Sequence, residues 1–215
     1  MRNYLKNLLQ LFFGLFLCAP FLISCTKTTP VEVYKGCLTS STPCLQGKAR
    51  VEIITSVGIF TLELDGNAAP VTAGNFLYLV KRGVFDKTVF HRVIKEPLPF
   101  VVQGGDPLSK DSSTPKSAYG TGNFIEPKTG QARLIPLEIK LKTEASPRYS
   151  QLITNPSELD QLQLSHFRGS VAMARSQTLD SASAQFYISL KGLPELDGRY
   201  SVFGRVINGM DVVDD

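Results

Sequence analysis

The sequence contains a series of short β-rich segments, with one helical stretch among them. Residues 51–54 and 59–64 are the first two segments; Gly58 lies in the turn between them, and the second segment alternates apolar and polar residues. This pattern predicts a β-hairpin. Further segments of the same kind, which predict an antiparallel barrel or sandwich, cover residues 89–94, 100–103, 170–174, 185–190 and 201–206.

One helix is predicted after the hairpin, in the stretch AAPVTAGNFLYLVKRGVFD. Pro70 is typical of a helix start, and Phe76, Leu79 and Val80 recur at the spacing of one apolar helix face. Gly83, which follows two basic residues, indicates the helix end. Such a helix is expected to cap a sheet.

The composition is typical of one globular domain with a full core, because 43% of the 215 residues are hydrophobic and 20% are charged. The formal net charge is +4, and it falls to +2 without Arg2 and Lys6, which lie in an N-terminal segment that we expect to be cleaved. So small a charge, without a run of basic residues, argues against a nucleic-acid partner.

The N-terminal segment MRNYLKNLLQLFFGLFLCAPFLISC has a basic start, an apolar run over 8–23 and a small residue before Cys25, which is the pattern of a secretory signal. A retained membrane helix is the alternative. Gly14 and Pro20 interrupt the run, however, and it is shorter than the roughly 20 residues that a spanning helix needs. We therefore predict a signal peptide over 1–24.

Leu22, Ile23, Ser24 and Cys25 resemble the bacterial lipobox, whose cysteine is acylated and becomes the new amino terminus. The resemblance implies an exported lipoprotein, anchored to a membrane on the periplasmic or cell-envelope side, because several acyl chains at one terminus anchor stably. Residues 25–48, rich in Thr, Ser, Pro and Gly, would then link the lipid to the domain.

Two of the four cysteines remain after this assignment, because Cys18 would leave with the signal and Cys25 would carry lipid. Cys37 and Cys44 are candidates for a disulfide outside the cytoplasm. A bridge that closes so short a loop would stabilise the fold by about 2 to 3 kcal/mol. Two unpaired thiols in a flexible tether are the alternative, and the sequence leaves this choice open.

A long stretch over about 107–165 interrupts the series of predicted strands and is rich in Ser, Thr, Pro and Gly. It contains one short apolar run, ARLIPLEIKL. Such a stretch is either a surface ornament or part of a binding surface, and its composition favours the ornament.

An arginine stands inside an apolar run in the stretch VFHRVIKEPLPFVVQGGD. An unpaired cation that faces a core costs free energy, so Arg92 either faces water at a rim or has a chemical role. Gln103 is followed by Gly104 and Gly105, which favours a close approach of another backbone at this point.

Five ordered motifs resemble those of the cyclophilin peptidyl-prolyl isomerases, namely FHRVI, FVVQGGD, GSVAMARS, SAQFYISL and LDGRYSVFGRV. The resemblance covers about 49–215 and is closest to exported cyclophilins of bacteria and plastid lumens, which also carry long inserts. It implies a mainly β fold, a closed antiparallel eight-stranded barrel capped by two helices. The sequence stops at Asp215, where the family continues through a second helix and a last strand. We therefore expect these two elements to be incomplete or missing, in a fragment, in a domain whose edge a partner supplies, or in an unstable domain.

The resemblance also implies a reaction, which is rotation about the peptide bond that precedes proline. Its partial double-bond character sets a barrier of about 18–20 kcal/mol, and no metal or cofactor is expected. Arg92 occupies the position of the family's catalytic arginine, whose guanidinium draws on the lone pair of the prolyl nitrogen. Gln103 occupies the position of a glutamine that hydrogen-bonds the substrate backbone. His91 and His166 are predicted to be structural, because the reaction transfers no proton.

The substrate groove of the family corresponds to further positions of this chain. Val101 stands where methionine is common and Tyr187 where phenylalanine is common, which alters the depth of the proline pocket. Arg175 replaces an asparagine of eukaryotic members, so we expect a bias toward acidic substrates. The predicted substrate-binding residues are Phe100, Val101, Ala174, Arg175, Gln185, Phe186, Tyr187, Leu196 and Tyr200.

The predicted function is isomerisation of Xaa-Pro bonds in exported polypeptides by a monomer. A scaffold or chaperone that binds proline peptides without turnover is the alternative. The presence of Arg92, Phe100 and Gln103 together favours the enzyme.

Overall fold

Seven strands form one antiparallel sheet in the computed structural model, which describes residues 36–38 and 43–215. Residue contacts divide the chain into Met1–Glu32 and Val33–Asp215, and all described residues belong to the second unit. The predicted signal peptide and Cys25 lie outside the described residues. The strands in chain order are β1 (Lys48–Ile54), β2 (Ile59–Asp65), β3 (Arg92–Val93), β4 (Val101–Gly104), β5 (Ile125–Glu126), β6 (Gln131–Ala132), β7 (Glu138–Ile139), β8 (Arg148–Tyr149), β9 (Ser170–Met173), β10 (Phe186–Ser189) and β11 (Val202–Asn208).

The large sheet runs in the order β1-β2-β11-β9-β10-β4-β3, and the remaining strands form the two small pairs β5-β6 and β7-β8. The helices are α1 (Pro70–Lys81), α2 (Pro156–Leu159) and α3 (Met210–Asp214), and short 3₁₀ turns cover Gly36–Leu38, Pro107–Lys110, Lys116–Ala118 and Pro194–Leu196. None of the helices in the described part of the chain has the length and apolar content that crossing a bilayer requires.

The predicted hairpin is confirmed by the pairing of β1 with β2, in which Ile54 lies opposite Ile59. The turn is closed by the Thr55 N–H, which donates to the Gly58 carbonyl at 2.8 Å. Because side chains alternate along β2, its buried residues face the core and its other residues do not. The buried side chains of this strand are Phe60, Leu62 and Leu64.

The predicted helix is confirmed as α1, which begins at Pro70 and packs across the sheet. Phe76 is its central core residue, because its ring centroid lies 5.1 Å from the centroids of both Phe186 and Phe203. Edge-to-face and tilted aromatic pairs at such distances add to the stabilisation from apolar burial. The helix therefore fixes the orientation of β10 and β11.

The predicted strand over 89–94 is much shorter in the structure, where only Arg92 and Val93 pair with β4. The Val89 N–H donates to Ser109 Oγ at 3.1 Å instead of to a neighbouring strand. The Phe90 ring packs toward the core, with its centroid 6.1 Å from that of Phe186. Residues 89–91 are therefore not part of the strand, and the contacts of Val89 and Phe90 hold the chain in place just before β3.

The sheet is open, whereas the resemblance implies a closed eight-stranded barrel, whose last helix and strand we expect to be incomplete or missing in this sequence. A barrel needs a partner on both sides of every strand, and no described strand pairs with the outer edge of β1 or of β3. A groove of about 700 Å³ lies between these two edges and reaches the core. Apolar side chains that line the groove include Ile54, Phe60, Phe85, Phe90, Val102 and Val212.

The insert over about 107–165 is part of the domain and not the surface ornament that its composition favours. Ile135 joins the main core and forms a β-bridge with Ala182. Five further side chains, which belong to the insert and bury one another in a cluster of their own, are Leu137, Ile139, Leu141, Ile153 and Leu162. The apolar run ARLIPLEIKL therefore packs the insert onto the sheet.

Glu138, in the same insert, satisfies the first turn of α1. Its carboxylate accepts hydrogen bonds from the Val71 N–H at 3.1 Å and from the Thr72 N–H at 2.7 Å. The residue before the helix, Ala69, has no side chain that could cap these groups. Burial raises the pKa of Glu138, and the hydrogen bonds that it accepts offset this effect in part.

Cys37 and Cys44 form a disulfide, with their Cα atoms 6.0 Å apart. The chain after the bridge packs on α1, where the Leu45 N–H donates to the Pro70 carbonyl at 3.0 Å. Gly74 makes this contact possible, because a Cβ atom there would lie 2.1 Å from the Pro43 carbonyl oxygen. The described end of the predicted linker is therefore bound to the domain.

Candidate active site

Six of the predicted substrate-binding residues meet in one cluster, separate from the main core. We call this group, together with Leu164, Ala172, Leu193 and Val202, the pocket cluster. It lies beside strands β4, β9 and β10, where Tyr187 is paired with both Gln103 and Ala172. The six predicted residues are Phe100, Val101, Ala174, Tyr187, Leu196 and Tyr200.

Phe186, which is also among the predicted substrate-binding residues, lies outside the pocket cluster. Its ring is 3% exposed and belongs to the main core, with its centroid 5.1 Å from that of Phe76. Successive side chains of a strand point to opposite faces, so Tyr187 faces the pocket cluster and Phe186 faces α1. The motif that carries both residues does not itself say which of them faces substrate.

Arg92 lies at the rim of the pocket cluster because β3 pairs with β4 in a register that places it opposite Gln103. Its guanidinium carbon lies 5.9 Å from the centroid of the Phe100 ring, and Nη1 donates to Gln103 Oε1 at 3.3 Å. The side chain is exposed. Arg92 is thus a rim residue, and its charge is open to a ligand in the adjacent cluster.

Gln103 is held in one amide orientation by a chain of hydrogen bonds. Its Oε1 accepts from Arg92, and its Nε2 donates to Gln185 Oε1 at 3.2 Å. Gln185 in turn donates through Nε2 to the Gly122 carbonyl at 2.8 Å. Since a donor meets an acceptor at each step, the network determines which amide atom faces Arg92.

Asp106 is a supporting residue that the sequence analysis did not identify. Its buried carboxylate accepts hydrogen bonds from the Leu108 N–H at 2.8 Å and the Gly120 N–H at 2.6 Å. It also accepts from the Gly122 N–H at 3.2 Å, and a Cβ atom at Gly122 would lie 2.0 Å from Asp106 Oδ1. Asp106 therefore fixes the loop whose carbonyl binds Gln185, and the QGGD motif was the available signal.

Arg175 lies beside the pocket cluster, where its guanidinium carbon is 4.8 Å from the centroid of the Tyr200 ring. Nε and Nη2 both donate to the Arg199 carbonyl, at 3.1 and 2.9 Å, and Nη1 donates to the Ser176 carbonyl at 2.9 Å. The neighbouring Ala174 N–H donates to the Gln185 carbonyl at 2.9 Å, so this group already has a backbone partner.

The two histidines lie in different environments. His91 has both ring nitrogens buried without a protein partner in the described structure, and burial lowers its pKa. His166 is hydrogen-bonded through both ring nitrogens. Within the residues that the structure describes, no group of three His, Cys, Asp or Glu side chains is arranged to hold a metal ion.

Comparisons with known proteins agree with this geometry. The family model described as cyclophilin type peptidyl-prolyl cis-trans isomerase/CLD matches residues 50–215. A crystal structure of a cyclophilin type peptidyl-prolyl cis-trans isomerase from Cryptosporidium parvum superposes with a TM-score of 0.55 at 26% identity, covering 78% of this chain and 82% of that one.

Two curated relatives have similar identity but different lengths. A Synechocystis protein named as a thylakoid lumen peptidyl-prolyl cis-trans isomerase is 36% identical over 182 residues, which cover 80% of this chain and 45% of the relative. The peptidyl-prolyl cis-trans isomerase-like 1 protein of Neurospora crassa is 34% identical over 163 residues, which cover 76% of this chain and 77% of the relative. The chain thus spans less than half of the Synechocystis relative. From Arg50 onward it belongs to the cyclophilin type peptidyl-prolyl cis-trans isomerase family.

Proposed function

We propose that the protein isomerises Xaa-Pro bonds in exported polypeptides and thereby assists their folding. The observation that carries the proposal is the position of Arg92 at the rim of the pocket cluster, with its guanidinium carbon 5.9 Å from the Phe100 ring centroid. A proline ring that enters this cluster would bring its nitrogen close to a permanent cation. That juxtaposition is what weakening of the amide resonance requires.

The pocket supplies the fixed half of the rotation. Apolar side chains from separate parts of the chain, among them Phe100, Val101 and Leu196, can hold the proline ring while the preceding carbonyl swings. The barrier of about 18–20 kcal/mol comes from conjugation between the nitrogen lone pair and that carbonyl. An N–H of Arg92 that approaches the prolyl nitrogen stabilises the twisted amide more than the planar one, and such differential binding lowers the barrier.

Gln103 supplies a second polar contact near the reacting bond. Gln185 orients its amide, so Gln103 does not have to be reordered when substrate arrives. Its hydrogen bond to Arg92 also holds the guanidinium on the side of the pocket. Gln103 therefore prepares the position of Arg92 and meets the substrate backbone.

Exchange NMR of a Xaa-Pro peptide, with substoichiometric full-length protein in mild detergent, tests the proposal. We expect faster cis-trans exchange with the wild type, and a loss of about a hundredfold in Arg92→Ala, the cost of removing one well-placed electrostatic donor. The matched control is Arg50→Ala, which removes an exposed arginine from β1. If the wild type binds the peptide without accelerating exchange, the enzyme hypothesis is wrong and the protein is a proline-binding scaffold.

We further propose that the protein acts outside the cytoplasm, anchored by lipid on Cys25. The support is the lipobox-like sequence at the end of the apolar run, together with the lumenal name of the Synechocystis relative. Metabolic labelling with a fatty acid is the test. The wild type and Cys18→Ser should incorporate label, and Cys25→Ser should not; label retained in Cys25→Ser would exclude this anchor.

A further inference from the structure

His166 connects two walls of the pocket cluster that come from different parts of the chain. Its ring Nε2 lies 2.8 Å from the Tyr187 hydroxyl on β10, and its ring Nδ1 lies 2.7 Å from Asp197 Oδ1. Its backbone adds two contacts to the turn that carries Leu196. The His166 N–H donates to Asp197 Oδ1, and the His166 carbonyl accepts from the Leu193 N–H, both at 2.8 Å.

One arrangement of protons satisfies all of these groups with a neutral imidazole. The Asp197 carboxylate can only accept, so the proton of the ring lies on Nδ1 of His166. Nε2 then has a free lone pair and accepts the hydrogen bond that the Tyr187 hydroxyl donates. The histidine side chain is 0% exposed, so its ring nitrogens are shielded from water.

The position of these hydrogen bonds relative to the pocket cluster determines what His166 can do. Tyr187 belongs to the pocket cluster through its ring, while its hydroxyl is bound by His166. The 3₁₀ turn Pro194–Leu196 contributes a second wall through Leu196 and continues directly into Asp197. Both walls are therefore tied to a single side chain that lies behind the pocket.

We propose that His166 is a positioning residue of the isomerase, which sets the width of the proline pocket by holding Tyr187 and the Leu196 turn in register through Asp197. This inference rests on the proposed function. His166 acts through these two walls and not on the reacting bond, where Arg92 and Gln103 lie. Loss of the connection should therefore weaken substrate binding more than turnover.

Tyr187→Phe tests the proposal with the smallest change, because it deletes the hydroxyl and keeps the ring. We expect KM for a Xaa-Pro peptide to rise about 5-fold while kcat stays within about 2-fold, as for the loss of one buried hydrogen bond that positions a binding group. Tyr78→Phe is the matched control, because Tyr78 packs in a different cluster on α1. Unchanged KM in Tyr187→Phe, or a loss confined to kcat, would overturn the proposal.

A double-mutant cycle isolates the role of the histidine from general loosening. His166→Gln should raise KM by itself, and Tyr187→Phe should then add less than about 2-fold, because its partner is already gone. Fully additive effects would show that the two residues act separately and would overturn the proposal.

The ring proton gives a readout that does not depend on activity. The chain has only two histidines, so His91→Gln leaves the signals of His166 alone in a long-range proton–nitrogen NMR spectrum. We expect the tautomer with the proton on Nδ1, and a shift of the Nε2 signal in Tyr187→Phe. A proton on Nε2 would overturn the inference even in an active enzyme. A wild type that has the expected tautomer but no isomerase activity would instead contradict the proposed function.

Discussion

Arg175 gives most of its hydrogen-bonding capacity to backbone carbonyls beside the pocket cluster. Nε and Nη2 bind the Arg199 carbonyl, and Nη1 binds the Ser176 carbonyl, so the planar fork is not free to grip a substrate carboxylate. What remains is a partly exposed point charge, whose attraction for acidic peptides is weakened by water and salt. We therefore expect Arg175 to give only a small preference for acidic substrates, and its larger role to be the support of the Tyr200 ring.

Arg175→Lys separates these two roles, because lysine keeps the charge but not the fork. We expect KM to rise about 3-fold for acidic, neutral and basic Xaa-Pro peptides alike, which is the cost of about one positioning hydrogen bond. Steady-state kinetics on the three peptides measure this, with Lys191→Arg as a control that also preserves charge. Normal KM values in Arg175→Lys, and a lost acidic preference in Arg175→Gln, would make charge its main role.

The start of α1 depends on a residue more than sixty positions later in the chain, because Glu138 accepts hydrogen bonds from the Val71 and Thr72 N–H groups. A helix begins with four N–H groups that lack partners within the helix, and they are costly to bury. The insert supplies the missing acceptor. Excision of the insert would therefore expose the start of the helix as well as the apolar cluster of the insert.

The pH dependence of stability should report on Glu138. Burial raises its folded-state pKa above the ordinary value of 4.5. Between 4.5 and the raised value the folded chain keeps a proton that the unfolded chain has lost, so stability falls as pH rises through this window. In Glu138→Gln we expect this fall in stability with rising pH to disappear. We also expect the free energy of unfolding to be lower by about 1–3 kcal/mol at every pH, because the amide turns a donor toward an N–H group.

Urea unfolding at several pH values, from acid to neutral, measures how the free energy of unfolding changes with pH in the wild type and in Glu138→Gln. Glu52→Gln is the control, because Glu52 is exposed on β1 and its loss should leave the slope unchanged. Parallel slopes in the wild type and Glu138→Gln would exclude Glu138 as the group responsible.

The sequence predicted those elements whose signals are local. The hairpin follows from the alternation around Gly58, and α1 follows from Pro70 and an apolar face with the helical period. The resemblance placed Arg92, Gln103 and most of the pocket. It did not reveal the link from Gln185 to Gly122 or the cap by Glu138, because those contacts join segments more than sixty residues apart. Local patterns carry no information on such pairings.

The outer edges of β1 and β3 have no strand partner within the described residues. Edge strands with apolar side chains and unpaired backbone groups are templates for pairing with other chains. Ile54 is 78% exposed at the end of β1 and lines the groove between the two edges. We therefore expect the protein to associate as its concentration rises.

Ile54→Lys should raise the concentration at which association begins, because a charge on an edge strand opposes pairing. Light scattering across a concentration series measures this. Phe167→Lys is the control, because Phe167 is 70% exposed and lies outside the strands. Equal protection by both substitutions would assign association to apolar surface in general and not to the edge.

The disulfide between Cys37 and Cys44 determines how the domain would respond to tension applied from its N-terminal side. The first firm attachment after the bridge is the contact of Leu45 with Pro70 on α1, and β1 begins only at Lys48. A force applied along the chain would thus act on the disulfide-closed loop and on the contact with α1 before it reached the β1–β2 hairpin. β1, which lies at an edge of the sheet, would therefore be loaded only after the contact of Leu45 with Pro70.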